Sequence, residues 1–109
     1  MELAKFYRDI LGLPFDKELS FSNDKGIQFK IGEVYFFVGY HDKVFGKAKD
    51  PYRVMIGFDV DSVKKTCEEL TQKGVQFIQP AIVSPDGTFM VATACDPEGN
   101  IIQFYGDLE

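Results

Sequence analysis

The residues able to carry chemistry are few and dispersed. His41 is the sole histidine of the 109 residues and stands beside Asp42 in a Gly/Asp/Lys-rich stretch, as a solvated loop residue would. A nucleophilic cysteine needs an imidazole base close by, yet Cys67 and Cys95 lie far along the chain from it, in different predicted elements. Neither cysteine has CxxC or Cys/His spacing, so both read as reduced, partly buried thiols rather than a disulfide or a zinc site. No Ser/His/Asp set, glycine-rich phosphate loop or pair of catalytic carboxylates can be assembled. What the chain has in quantity is aromatic: eleven Phe and five Tyr.

The charge balance narrows the partners. Twelve Lys plus Arg against seventeen Asp plus Glu leave a formal net charge of -5, a field that repels phosphate backbones and speaks against nucleic acid. No apolar run approaches the roughly 20 residues of a membrane span, and the opening MELAKFYRDILG is charged and amphipathic rather than a signal segment. The expected location is cytoplasmic. Length and a 45% hydrophobic composition fit one compact domain over 1–109 with a core that needs no disulfide.

Two helices and six strands are predicted as the frame for these residues. In DSVKKTCEELTQKGV, Val63, Cys67 and Leu70 fall on one helical face, Asp61 or Ser62 can N-cap, and Gly74 ends the helix. MELAKFYRDILGL repeats the design with Leu3, Phe6, Tyr7, Ile10 and Leu11, then Gly12 and Pro14. Strands are expected over 26–30, 34–40, 54–60, 75–79, 88–94 and 100–105, all rich in Val, Ile, Phe or Tyr. Gly32-Glu33, Pro85-Asp86-Gly87 and Asp96-Pro97-Glu98-Gly99-Asn100 supply turns, and 43–51 is the plausible linker.

The halves repeat. Leu3, Tyr7 and Ile10 match Val63, Cys67 and Leu70 at one offset, while Gly32, Val34, Phe37 and Gly39 match Gly99, Ile101, Phe104 and Gly106 at a slightly longer one. Modules of about 1–45 and 52–109 follow, the second reading β-α-β-β-β and the first lacking the strand before its helix. An unpaired sheet edge invites association, which predicts a homodimer. The competing expectation is that the natural chain starts about 10 to 20 residues upstream, one strand and its turn.

Two of these segments resemble known signatures. Phe6-Tyr7-Arg8-Asp9-Ile10-Leu11-Gly12-Leu13 resembles the FYxxxLGL motif of the vicinal oxygen chelate superfamily, which comprises glyoxalase I, bleomycin resistance proteins and extradiol dioxygenases. Asp96 to Phe104, DPEGNIIQF, resembles its DPxGNxIEL motif. The resemblance implies an α+β fold of paired βαβββ modules whose curved mixed sheet forms a cup. Without the resemblance, both motifs are folding signals: an apolar helix face with a left-handed exit at Gly12, and a tight turn fixed by Pro97 and Gly99.

In the metalloenzymes of this superfamily, His or Glu at four strand positions holds a divalent ion that leaves room for two substrate oxygens. The resemblance places the final-strand Glu on Gln103, its first-half equivalent on Phe36 and the His opening the second module on Met55. The fourth position falls on the absent strand. A neutral amide, a phenyl ring and a thioether make poor ligands for a hard or borderline cation, so no metal cofactor is expected.

Strand alternation points Val54, Ile56, Phe58 and Val60 at the helices, and Met55, Gly57 and Asp59 at the cup. The same phase assigns Val34, Phe36, Val38 and Tyr40, with Ile101, Gln103 and Tyr105, to the cup. The expected ligand-binding residues are therefore Phe36, Val38, Met55, Gln103 and Tyr105, an apolar lining with polar tips suited to a small organic molecule. Tyr52 and Arg53 could overhang the mouth, although an Arg before a strand is usually solvated. Phe89 and Met90 read as packing. The function expected is metal-independent small-molecule binding of the glyoxalase/bleomycin-resistance type. The alternatives are a metal-dependent lyase or dioxygenase of the same superfamily, and a purely associating module with a filled cup.

Overall fold

The structure is a computed structural model and describes residues 2–22 and 24–109. The chain divides into two compact units, Met1–Gly46 and Lys47–Glu109, each a sheet with a helical segment on one face.

The first unit opens with a short helix, α1 (Glu2–Lys5), which widens into a π-helical turn over Phe6–Ile10 closed by the Leu11 amide donating to the Phe6 carbonyl at 3.0 Å. The consecutive Phe6 and Tyr7 rings are both buried and meet edge to face at 5.2 Å. Gly12, at φ 71°, takes the left-handed exit that its position after the motif requires. Three antiparallel strands follow in the order β1 (Phe15–Ser20), β2 (Asp24–Ile31) and β3 (Val34–His41). Gly32-Glu33 makes a two-residue hairpin between β2 and β3, with Gly32 at φ 60°.

Strand β1 is an element the sequence pattern misses. Its residues FDKELS carry three consecutive charges and little strand propensity, and pairing with β2, not propensity, holds them extended. The helical segment at the start is also shorter than 1–13 and partly π rather than α.

The second unit runs β4 (Ile56–Asp59), α2 (Val63–Gln72), β5 (Phe77–Val83), β6 (Met90–Cys95) and β7 (Ile101–Gly106), the predicted β-α-β-β-β succession. Its sheet order is β4-β7-β6-β5, with β4 parallel to β7 and the other pairs antiparallel. The core is amphipathic matching: Val63 and Cys67 of α2 pack on Met90 and Ala92, flanked by Val60, Phe77 and Ala81. Behind them Phe104 lies between Phe58 and Phe77, with ring centroids 6.0 and 6.1 Å away.

Helix α2 is capped as its sequence predicts. The Ser62 hydroxyl oxygen accepts the Lys65 amide at 3.1 Å, and the Ser62 hydroxyl itself donates to the Glu109 carboxylate, whose other oxygen accepts the Lys64 amide at 3.1 Å. These donors hold the Glu109 carboxyl below its ordinary value. A carboxylate lowered on folding stabilises the fold above its ordinary value of about 4.5, and that contribution is lost as pH falls through the lower folded value. Ser62→Ala should cost about 1 kcal/mol, a drop of roughly 4–8 °C in the unfolding midpoint. Glu109→Gln should flatten the acid limb of a plot of midpoint against pH; unchanged acid sensitivity in that variant would remove Glu109 from the account.

Candidate functional site

The sheet of the second unit has two unlike faces. Cross-strand partners share a face, so Ile56, Phe58, Ala92, Ala94, Ile102 and Phe104 form the side bearing α2. The opposite side carries Gly57 and Asp59 from β4, Ile101, Gln103 and Tyr105 from β7, and Val91, Thr93 and Cys95 from β6. Gln79 and Ile82 of β5 pair with Thr93 and Val91 and extend it.

Polar groups on this open face form a chain. The Tyr105 phenol donates to the Gln103 amide oxygen, and the Gln103 amide nitrogen donates to the Thr93 hydroxyl at 3.1 Å. Both ends of the amide are engaged, which fixes its orientation and leaves the Thr93 hydroxyl hydrogen and the Tyr105 oxygen to meet a further partner. Phe89 lies against Tyr105 at 5.8 Å between ring centroids. Gly57 permits the arrangement: a Cβ there would stand 2.6 Å from the Tyr105 ring. Asp59, paired with Tyr105 across β4 and β7, adds an exposed carboxylate beside it.

Of the residues the sequence nominates, the structure brings Gln103 and Tyr105 together by a hydrogen bond. Met55 lies one residue before β4 and is exposed. Phe36 and Val38 take the opposite side of their sheet from the one expected. They pair with Phe29 and Ile27, Phe36 touches Tyr7 edge to face at 5.2 Å, and Val38 is buried, so this is the face under the helical segment. The other face of that sheet shows Tyr35, Phe37 and Gln28, with the Lys30 ammonium 5.4 Å above the Tyr35 ring.

The physical reason is the turn. The internal repeat equates Phe36 with Gln103, but β2 and β3 are joined by two residues and β6 and β7 by five, and turn length sets which face each strand residue takes. Thr93 is not among the nominated residues, and Phe89, read as packing, stands on the same face beside Tyr105. Alternation away from the buried Met90 would have found both.

The remaining candidates behave as ordinary surface or core groups. His41 closes β3, and its Nδ1 accepts the Lys43 amide at 3.1 Å. Arg53 and Asp50 form an exposed pair at 3.9 Å. Cys67 and Cys95 are free thiols, and burial pushes the Cys67 thiol up from its ordinary value. A groove of about 590 Å³ opens in the first unit between the helical segment and β1–β2, where Lys5, Arg8 and Lys25 outnumber Glu18. None of the nominated residues lines it.

A divalent ion does not fit this donor set. Gln103 spends its oxygen on Tyr105, Phe36 is apolar and packed on Tyr7, and among the described residues no three His, Cys, Asp or Glu side chains gather.

A helix on one face of a sheet and an open face of aromatic rings and neutral hydrogen-bonding groups, in the succession β-α-β-β-β, define an α+β protein of the glyoxalase fold. The chain belongs to the Glyoxalase/Bleomycin resistance protein/Dioxygenase superfamily, which it matches over residues 2–104. Solved structures share the fold at low identity. A glyoxalase family protein from Enterococcus faecalis is 19% identical with a TM-score of 0.78, covering 96% of this chain and 87% of its own. A glyoxylase/bleomycin resistance protein/dioxygenase domain from Frankia sp. EAN1pec is 16% identical at 0.79, covering 98% and 87%. TnmS3, an antibiotic binding protein from Streptomyces sp. CB03234, is 18% identical at 0.76, covering 98% and 85%. No curated protein matches the chain in sequence.

Proposed function

We propose that this protein binds a small organic molecule on the open face of its second sheet, without a metal ion. The observation that carries the reading is the Tyr105–Gln103–Thr93 hydrogen-bond chain beside Phe89: the amide standing at the family's final-strand ligand position is occupied on both sides and faces no cluster of donors. An aromatic wall supplies contact area and the Thr93 and Tyr105 hydroxyls fix orientation, a combination that suits an uncharged or weakly cationic ring system, with Asp59 as a counter-charge. The antibiotic-binding role of TnmS3 supports sequestration as the biological purpose. In this reading Gln103 and Tyr105 contact the ligand and Met55 stands at the entry to β4. The protein works as a homodimer in the cytoplasm; no described helix is long and apolar enough to cross a membrane.

Thermal unfolding of chelator-stripped protein with Ni, Zn, Mn and Fe(II) tests the metal-free part. A ligand at 100 times its dissociation constant adds about 2.7 kcal/mol, enough to raise the midpoint of a domain this size by roughly 10 °C. No such rise is expected with any of the four. A rise of that size with one metal at unit stoichiometry moves the protein to the lyases or dioxygenases. A screen of aromatic and polycyclic compounds should return stabilisers whose effect is lost in Gln103→Ala and reduced in Tyr105→Phe.

A further inference from the structure

The β5–β6 hairpin that brings Phe89 to the open face is closed through a side chain. Regular pairing of β5 with β6 ends at Val83 and Met90. One pair further out, the Ser84 amide still donates to the Phe89 carbonyl at 2.8 Å, but the Ser84 carbonyl has turned away to accept the Gly87 amide at 2.9 Å. The Phe89 amide is thereby left without a ladder partner. It donates instead to the Ser84 hydroxyl oxygen at 3.3 Å, where the Thr88 amide joins it at 3.2 Å.

That hydroxyl is itself held. Its hydrogen goes to Asp86 Oδ1 at 2.6 Å, and the same carboxylate oxygen accepts the Thr88 hydroxyl at 2.7 Å and the Thr88 amide at 3.1 Å. Ser84 is buried although residues 85–88 around it are exposed. With its one hydrogen given and two amides received, its oxygen has no capacity left for water. The Ser84 hydroxyl, and after it Thr88, hold the Asp86 carboxyl below its ordinary value, so it stands as an ionised acceptor at neutral pH.

We propose that Ser84 and Asp86 are positioning residues of the ligand-binding face: the Ser84 hydroxyl, oriented by Asp86, fixes Phe89 against Tyr105 before any ligand arrives. The inference rests on the binding reading above and adds the residues that build its aromatic wall. Two observations set this apart from the closing of a turn. The turn is already closed without the hydroxyl, by the Ser84 carbonyl and by Gly87 at φ 76°. Met90 is anchored in the core beside Val63 and Cys67 of α2, so the hydroxyl adds the direction of the one residue just beyond that anchor, whose ring stands 5.8 Å from Tyr105. A wall formed in advance spares the ligand the cost of ordering it.

Asp86 is exposed, so Asp86→Ala breaks the arrangement without touching the core. Nuclear Overhauser effects between the Phe89 and Tyr105 rings of the full chain, free of ligand, read the positioning. Fluorescence titration with proflavine, a planar tricyclic cation, reads the binding. Asp86→Ala should weaken the ring contact and lower proflavine affinity about 3- to 10-fold, the worth of one aromatic pair, at a temperature where circular dichroism shows both proteins folded. Asp86→Asn keeps an oxygen to accept the Ser84 hydroxyl and should restore most of both. Ser84→Ala should lose at least as much as Asp86→Ala, and if it fails to fold the two Asp86 variants carry the comparison. Equal proflavine affinity in the unsubstituted chain and Asp86→Ala, with binding lost in Gln103→Ala, keeps the binding reading and overturns the positioning role. A ring contact that survives Asp86→Ala overturns that role as well. Failure of the unsubstituted chain to bind proflavine counts against the binding reading for planar cations, and the ring contact alone then decides whether Ser84 and Asp86 fix Phe89.

Discussion

Phe104→Ala should be the most damaging single change in the second unit, costing about 3–5 kcal/mol. Phe104 stands on β7 in the middle of the sheet, buried, with Phe58 on one side, Phe77 on the other and Ala92 as its β6 partner. Small alanines at positions 92 and 94 leave space that the ring fills, and no neighbouring backbone can move inward to close the hole without breaking β4–β7 or β6–β7 pairing. At roughly 4–8 °C per kcal/mol the unfolding midpoint should fall by roughly 12 °C or more. Urea titration followed by circular dichroism measures the loss directly, and a cost below 1 kcal/mol would show that the aromatic cluster is not the support it looks to be.

The second large effect belongs to a loop. Asp96 is buried at the start of the β6–β7 connection, where its carboxylate accepts the Glu98 amide at 2.9 Å, the Asn100 amide at 2.9 Å and the Asn100 side-chain nitrogen at 2.9 Å. Asp96→Ala leaves these donors without an acceptor, and unsatisfied buried donors cost about 1–3 kcal/mol each before water relieves part of it. A net loss of about 2–4 kcal/mol is expected. Asp96→Asn keeps an oxygen for the two backbone amides but sets one NH2 group against another at Asn100, so it should recover roughly half. The loop also sets the spacing that delivers Gln103 and Tyr105 to the open face, so Asp96→Ala should weaken ligand binding beyond what its stability loss explains. Equal affinity in the folded fraction of both proteins would separate the loop from the site.

Element types were legible where the chain repeats a pattern. The 3.6-residue spacing of Val63, Cys67 and Leu70 predicts α2, whose core contacts are those very residues. The family, too, is carried by short motifs, FYRDILGL and DPEGN, which make a helix end and a tight turn. Strand β1 was not legible because Asp16, Lys17 and Glu18 conceal it; its conformation is dictated from β2. The side of β3 was not legible either. In Val34-Tyr35-Phe36-Phe37-Val38 every residue is apolar, so alternation carries no phase, and only the two-residue turn and the Tyr7 contact settle that Phe36 faces the helical segment. On β7 the pattern Ile102-Gln103-Phe104 interrupts the apolar run with one amide, which is why Gln103 could be read outward from sequence. Thr93 escaped notice and Phe89 read as packing for the reason β1 did: nothing in their own types marks them, and their place comes from what lies across the strand or next to Tyr105.

The position of β7 between β4 and β6 bears on how the protein is made. Synthesis delivers β4, α2, β5 and β6 first, yet β4 has no neighbour in the sheet until β7 arrives, more than forty residues after it. A ribosome-bound chain therefore holds a helix and a hairpin that can begin to pack, together with a detached strand whose Ile56 and Phe58 have nowhere to go. The sheet of this unit closes only when the last strand has cleared the exit tunnel, and until then those side chains are open to chaperones and to neighbouring nascent chains.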